Sequence, residues 1–401
     1  MLKSYLNSIE PRVIFIISTI TLSIIGLLMV FSSSSIVAME NHADSFFYLK
    51  RQGLFLLLGL VIMGVCSSIN TNVLSKNYKF FYIIGIVLLI LVLVPILGRK
   101  SGGATRWIQV FSFSLQPIEI AKYMLLIFIA QHLSIKNTRI KEFKIGVVST
   151  FLPCIPYILL LLMQPDFGNT VLICVTIFAM IILSGAKLSH IFSIFLVLLS
   201  SFLSLIYIAP YRMKRVMSFL DPYEDPQGTG YQIIQSFVSF AKGKFFGVGL
   251  GNSSQKLFFL PQGYNDFIFS IIAEELGFIG SLLIIILFGL LIFSGFKMLE
   301  RAKDLFSRNL ISGIIILTSL QIIINISVTI GLMPTKGVPL PLISYGGSSL
   351  IFTLFAFGLV LALDKRKNWE RFFWHLVQLA GISSLQYLYW SPSKNQARRF
   401  K

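Results

Sequence analysis

The chain has 401 residues, 55% of them hydrophobic and only 12% charged, with a formal net charge of +18. A soluble domain carries about 25% charged residues, so this chain has too little polar surface to cover a globule in water, and lipid is its natural solvent. Three cysteines without C-x-x-C spacing exclude a disulfide framework and a zinc site, four scattered histidines exclude an H-E-x-x-H metal motif, and the lack of a Walker motif argues against ATP-driven transport within the chain.

A membrane-spanning helix needs about 20 mostly apolar residues. Ten runs qualify: 13–33, 51–69, 78–97, 115–134, 145–163, 168–186, 188–209, 266–296, 308–331 and 342–363. The first exceeds a signal-peptide core and no convincing cleavage site follows it, so it reads as a retained span. The sixth and seventh nearly abut. The eighth is longer than one crossing requires, which predicts a tilt or a start above the membrane. The expected fold is therefore all-α and integral to the membrane, with about ten transmembrane helices and one large extracytoplasmic loop, 210–265, between spans seven and eight. Residues 1–365 form one polytopic domain and 366–401 a basic cytoplasmic tail.

Orientation follows from lysine and arginine. With the N-terminus in the cytoplasm, 21 of the 34 basic residues fall inside and 12 outside, six of the latter in the long loop. Long loops count weakly in this rule, so both termini are expected inside. The loop opens with the turn chemistry of Asp221-Pro222-Tyr223-Glu224-Asp225-Pro226-Gln227-Gly228. An amphipathic stretch, Tyr231 to Phe246, follows with apolar residues at 233, 237, 240 and 241, and is expected to lie in the outer interface. The tail carries Trp369, Phe372, Phe373 and Trp374 among its basic residues; an inner-leaflet contact and a disordered segment both fit.

Charges inside a membrane are costly and mark function by default. Glu119 and Lys122 lie three residues apart in span four, on one helix face; a structural ion pair and a substrate contact are both open. Asp266, Glu274 and Glu275 gather at the outer end of span eight. The two glutamates suit helix-start charge and polar packing. Asp266 follows the breaker-rich Leu260-Pro261-Gln262-Gly263-Tyr264-Asn265, where a helix N-cap and a catalytic carboxylate are alternatives. Asp266 and Glu274 would lie about 12 Å apart along a helix, beyond the roughly 5–9.5 Å of paired glycosidase carboxylates, which argues against a hydrolase. A transferase acting on a sugar diphosphate needs one base for the attacking hydroxyl and cations for the leaving diphosphate. Outer cations such as Arg106, Arg215, Lys256 and Lys336 fit that need. Gly247-Val248-Gly249-Leu250-Gly251 has the look of a phosphate cradle but lacks the preceding strand and the G-K-[ST] ending. Tyr345-Gly346-Gly347-Ser348-Ser349 offers small residues for close backbone approach.

Several segments together resemble the SEDS family, the shape, elongation, division and sporulation proteins, most closely its division (FtsW) branch, with the elongation (RodA) branch next. They are Gly103 to Ile108 with Leu115 to Lys122, Gln164-Pro165-Asp166-Phe167-Gly168, Arg215 to Asp225, Gly230-Tyr231-Gln232, Gln235-Ser236 with Gly247 to Lys256, Asp266 to Phe269 with Glu274 to Gly277, and Met333 to Gly337 with Leu340 to Ser349. The resemblance spans about residues 10–365. It departs from the branch's usual Pro-Glu-Ala-His at Gln262-Gly263-Tyr264, and has Ile118 where a serine is usual.

This resemblance implies an inverting peptidoglycan glycosyltransferase that polymerises lipid II, the undecaprenyl-diphosphate-linked disaccharide peptide, with Asp266 at the catalytic position. Arg106 and Trp107 fall on positions near the active cavity. Together with Glu119, Lys122, Arg215, Lys256 and Lys336 they are the expected substrate-binding set. No resident metal or other cofactor is expected, with a role for magnesium or manganese left open. The implied partners are a class B penicillin-binding protein transpeptidase, other divisome membrane proteins and membrane lipids, with no nucleic acid. The implied place is the bacterial cytoplasmic membrane at the division septum. A lipid II flippase and a non-catalytic scaffold for a transpeptidase are the competing readings.

Overall fold

The computed structural model describes residues 10–364 apart from positions 96, 102–103, 111–112, 209, 257–259 and 261–262; the aromatic tail lies outside the described residues. Each of the ten apolar runs becomes helix: α1 Pro11–His42, α2 Phe47–Ser67, then α4 Tyr78–Leu93 after the short α3 Thr71–Lys76, α5 Ile118–Lys136, α6 Phe143–Met163, α7 Phe167–Leu183, α8 Leu188–Ile208, α11 Ile268–Arg301, α12 Leu305–Thr329 and α13 Gly347–Leu363. Between α8 and α11 the long loop supplies α9 Pro210–Leu220 and α10 Tyr231–Gly243. Among the described residues, α1, α2, α5, α6, α11 and α12 have the length and apolarity to cross a membrane, with shorter apolar stretches at Tyr78–Leu93, Phe167–Leu183, Leu188–Val197 and Gly347–Leu363. The chain is an integral membrane protein.

Side-chain volume sets how the helices approach. Gly59 of α2 faces Leu354 of α13, and a Cβ on Gly358 of α13 would lie 2.6 Å from the Met63 carbonyl oxygen of α2. At one end of the bundle the Arg12 guanidinium of α1 donates to the Asp364 carbonyl just beyond α13, at 3.3 Å. α6 is irregular, with a π-type turn at Phe143–Val148 and a 3-10 turn at Leu152–Cys154. Prolines remove the amide donors that a regular helix uses, and the Tyr82 hydroxyl donates to the Pro153 carbonyl at 2.8 Å.

Two features add to the expected all-helical plan. A three-stranded antiparallel sheet, β1 Gly98–Ser101, β2 Ala104–Val110 and β3 Phe113–Leu115, fills the connection between α4 and α5. The amphipathic stretch also packs differently from its periodicity: the buried face of α10 is Ile233, Ser236, Ser239 and Gly243. These small residues let it seat directly on α11. The Ser236 hydroxyl lies 2.5 Å from that of Ser270 and donates to the Thr329 carbonyl, also at 2.5 Å.

The long eighth span is broken. Gly277 inside α11 has φ 68° and ψ −165°, a region open essentially only to glycine. The carbonyls of Glu274 and Glu275 would normally accept from Phe278 and Ile279. Instead they accept from the amides of Val248 and Gly249, each at 3.0 Å, while the Phe278 and Ile279 amides donate to the carbonyls of Lys244 and Phe245 at 2.9 and 3.2 Å. A hook of the long loop is thus inserted into the helical ladder, and these four backbone groups at the break all have partners. Irregular backbone in a membrane protein is tolerated only where protein satisfies it in this way.

Candidate functional site

Asp266 precedes the first turn of α11 in a segment held by its backbone. Three successive carbonyls are captured: Tyr264 accepts from the Tyr345 amide at 3.0 Å, Asn265 from the Ser344 hydroxyl at 2.7 Å, and Asp266 from the Asn325 side-chain amide at 2.9 Å. The ring of Tyr264, at the departure from the division-branch pattern, packs with Tyr48 and Tyr345 at centroid distances of 5.0 and 5.9 Å. This cluster joins the Asp266 segment to the start of α2 and the approach to α13, and burial raises the Tyr264 hydroxyl above its ordinary value.

The Asp266 carboxylate faces the 331–346 loop: a Cβ on the exposed Gly337 would lie 3.2 Å from Asp266 Oδ2. Burial pushes this carboxyl up to about 6, against the opposing pull of Arg215 and then Arg106. No hydrogen bond to the carboxylate oxygens forms among the described residues, so these oxygens remain free to accept.

The cations fall into two groups. Arg215 of α9 is exposed, donates to the Thr335 carbonyl at 3.1 Å and lies within electrostatic reach of Asp266. Lys336 sits beside Gly337; burial lowers its ammonium from the ordinary lysine value, and no counter-charge among the described residues offsets this. Arg106 is the extra residue where β2 and β1 slip register, Thr105 pairing with Lys100 and Trp107 with Arg99. Such a bulge re-aims a side chain, and Arg106 donates to the carbonyls of Gln164, at 3.3 Å, and Pro165. Trp107 is half-buried beside it.

The remaining members of the expected set point elsewhere. Lys256 contacts the Gly251 carbonyl and lies 3.7 Å from Glu275, so its charge serves the helix break. Glu274 and Glu275 gather that same network: Glu274 accepts from the Ser254 amide at 3.1 Å and Glu275 from the Ser32 hydroxyl at 2.7 Å. These are the packing roles their positions suggested. Lys122 and Glu119 pair at 2.6 Å with side chains 1% and 2% exposed. The geometry therefore favours a structural ion pair, lodged near Asp166, which caps α7 through Asn169. The glycine run at 247–251 is no phosphate cradle, because the amides of Gly247, Val248 and Gly249 are spent on the carbonyls of Gly243, Glu274 and Glu275. The small residues at 345–349 do serve close approach, since a Cβ on Gly347 would lie 2.5 Å from the Phe55 ring.

The family model for the cell cycle proteins FtsW, RodA and SpoVE matches residues 12–369. The chain belongs to this family. Within the FtsW/RodA/SpoVE proteins it is 41% identical over 356 residues to stage V sporulation protein E of Bacillus subtilis, covering 89% of this chain and 97% of that protein. It is 40% identical over 353 residues to the probable peptidoglycan glycosyltransferase FtsW of Coxiella burnetii, covering 87% and 94%. Among solved structures, a chain of a peptidoglycan synthase complex superposes with TM-score 0.72 at 29% identity, over 87% of this chain and 96% of that one. The rod shape determining protein RodA of Thermus thermophilus superposes with TM-score 0.62 at 26% identity, over 87% and 95%.

Two residues of this FtsW/RodA/SpoVE chain that carry no charge were missed by a reading that looked for charges in spans. Asn325 and Ser344 hold the Asp266 segment, and Asn325 is 2% exposed within an apolar helix. The available signal was a neutral amide in an apolar run, where a polar group needs a partner.

Proposed function

We propose that this chain is a peptidoglycan glycosyltransferase that polymerises lipid II at the outer face of the bacterial cytoplasmic membrane, with Asp266 as general base. The observation that carries the residue assignment is the Asp266 carboxylate itself. It is held by its backbone, free of hydrogen bonds from described residues, raised to about 6, and flanked electrostatically by Arg215 and Arg106. A base whose pKa lies near the working pH combines ionisation with proton affinity. The names of the FtsW relatives support the activity class.

In this reading an acceptor sugar hydroxyl attacks the anomeric carbon of the lipid-linked donor. The new C–O bond forms as the bond to the diphosphate breaks, the electron pair leaves with the diphosphate, and the hydroxyl proton passes to Asp266. Attack opposite the leaving group inverts the anomeric centre. Arg215 and Lys336 stabilise the departing charge. Arg106 holds the carbonyls of Gln164 and Pro165, next in sequence to Asp166, near which the buried Glu119–Lys122 pair lies, and in this reading Trp107 contacts the substrate while Lys256 maintains the helix break. Magnesium or manganese, where one takes part, would add positive charge at the diphosphate beside that of Arg215 and Lys336.

The partners of this reading are a class B penicillin-binding protein and other divisome membrane proteins, and its place is the septum. The peptidoglycan synthase complex and the FtsW names support this. The deciding experiment incubates purified full-length protein with lipid II, with and without the transpeptidase, and resolves glycan chains on a gel. Asp266-dependent chains are expected. Translocation without polymer would make the protein a flippase, and neither activity would make it a scaffold.

A further inference from the structure

Two side chains far in sequence from Asp266 converge on the segment that carries it. The Asn325 amide donates twice, to the Asp266 carbonyl at 2.9 Å and the Val338 carbonyl at 2.8 Å. The Ser344 hydroxyl donates to the Asn265 carbonyl at 2.7 Å and accepts from the Leu340 amide at 2.8 Å. Each side chain therefore bridges the 264–266 segment to the 338–340 segment, the first from the end of α12 and the second from the approach to α13.

Both residues are buried, at 2% and 5% exposure, where an unpaired amide or hydroxyl is costly. The two accepting carbonyls fix the orientation of the Asn325 amide, because only the nitrogen can donate to both. Its oxygen has no hydrogen-bond partner among the described residues. The amide thus gives both donors to the two segments while leaving an acceptor unsatisfied, an arrangement that packing alone does not favour.

We infer that Asn325 and Ser344 are a pair of positioning residues that set the Asp266 carboxylate against the Lys336–Gly337 turn. The inference rests on the polymerase reading. The 338–340 segment that they join to Asp266 follows directly on Lys336 and Gly337, and a Cβ on Gly337 would lie 3.2 Å from Asp266 Oδ2. Loss of either bridge leaves both charged groups present but no longer in register. Misplacement of about 1 Å can cost on the order of 10²-fold in rate without touching the chemistry.

The test uses purified full-length protein carrying Asn325→Leu or Ser344→Ala, with lipid II as substrate and wild type and Asp266→Asn alongside. Rates are measured over pH 5 to 8.5 and thermal melts are taken of each variant. The expected result is kcat lower by about tenfold or more in each variant, KM within about twofold, and a displaced acid limb of the pH profile. Ser344→Thr, which keeps the hydroxyl, should recover much of the Ser344→Ala loss. A folded Asn325→Leu or Ser344→Ala protein with wild-type kcat and pH profile overturns the inference, as does a loss expressed in KM alone. Should Asn325→Leu fail to fold, the Ser344 pair decides by the same criteria. An inactive wild type would instead remove the polymerase reading, and this inference with it.

Discussion

Gly277 and Gly247 meet so closely that a Cβ on Gly277 would lie 2.3 Å from the Gly247 nitrogen, and one on Gly247 would lie 2.1 Å from the Glu275 carbonyl oxygen. Both have positive φ, 68° and 77°. The hook can enter the helix only because neither residue has a side chain. Gly277→Ala meets both the conformational penalty, about 1–3 kcal/mol, and backbone atoms that cannot withdraw. It is expected to destabilise the protein by at least about 2 kcal/mol. A thermal melt in detergent checks this; an unchanged melting temperature would show that the break is dispensable.

Asp266→Asn should separate activity from stability. Loss of a general base lowers the rate by about 10²–10⁴-fold. The folded-state pKa of about 6 lies above the ordinary aspartate value of 3.8. The folded protein therefore binds the proton more tightly than the unfolded chain, and stability falls as pH rises from about 4 through 6. Above that window the ionised carboxylate costs the fold at most about 3 kcal/mol. Asp266→Asn is expected to melt at or above wild type at pH 7.5, with the difference shrinking at pH 4. A marked fall in melting temperature at pH 7.5 contradicts this account.

The wild-type rate should itself report the same group. If Asp266 must be ionised to accept a proton, kcat/KM rises with pH through about 6 and flattens above. A rate that is flat between pH 5 and 7 would remove Asp266 from the proton transfer.

Gly337 leaves the approach to Asp266 Oδ2 open. A methyl group at this position would lie 3.2 Å from that oxygen, tight enough to push the carboxylate aside by a few tenths of an ångström. Gly337→Ala is expected to lower kcat by roughly tenfold at normal protein yield, since residue 337 is exposed. Equal kcat in the two proteins would show that the carboxylate is reached from another side.

The cations should divide as their contacts divide. Arg215→Ala and Lys336→Ala are expected to lower polymerisation by about 10²-fold, whereas Lys256→Ala, tied to Glu275 at 3.7 Å, should lower the melting temperature first. Assays of all three side by side decide. A wild-type rate in both Arg215→Ala and Lys336→Ala would end their assignment to the diphosphate.

Sidedness is open to direct measurement. Glu224 and Arg139 are both exposed and lie at opposite ends of spans in the ten-crossing plan. A membrane-impermeant thiol reagent applied from outside should label Glu224→Cys and spare Arg139→Cys. The reverse pattern would invert the orientation.

The solvent, the ten helices and the place of Asp266 at the head of the eighth span are legible in the residues alone, because burial in lipid imposes apolar runs that can be read locally. It also contained the charged candidates, since ionisable residues stand out against such runs. What each charge contacts depends on the packing of helices and loops. Lys256 and Lys336 are the same residue type in similar loops, yet one is held near Glu275 and the other is half-buried without a counter-charge among the described residues. The break at Gly277 was visible only as excess length, because its cause is a hook from residues 244–249 that replaces hydrogen bonds within the helix. The roles of Asn325 and Ser344 were hidden for the same reason: their partners, Asp266 and Asn265, lie 59 and 79 residues away, and a hydrogen bond across that distance is specified by the packing of whole helices rather than by any local pattern.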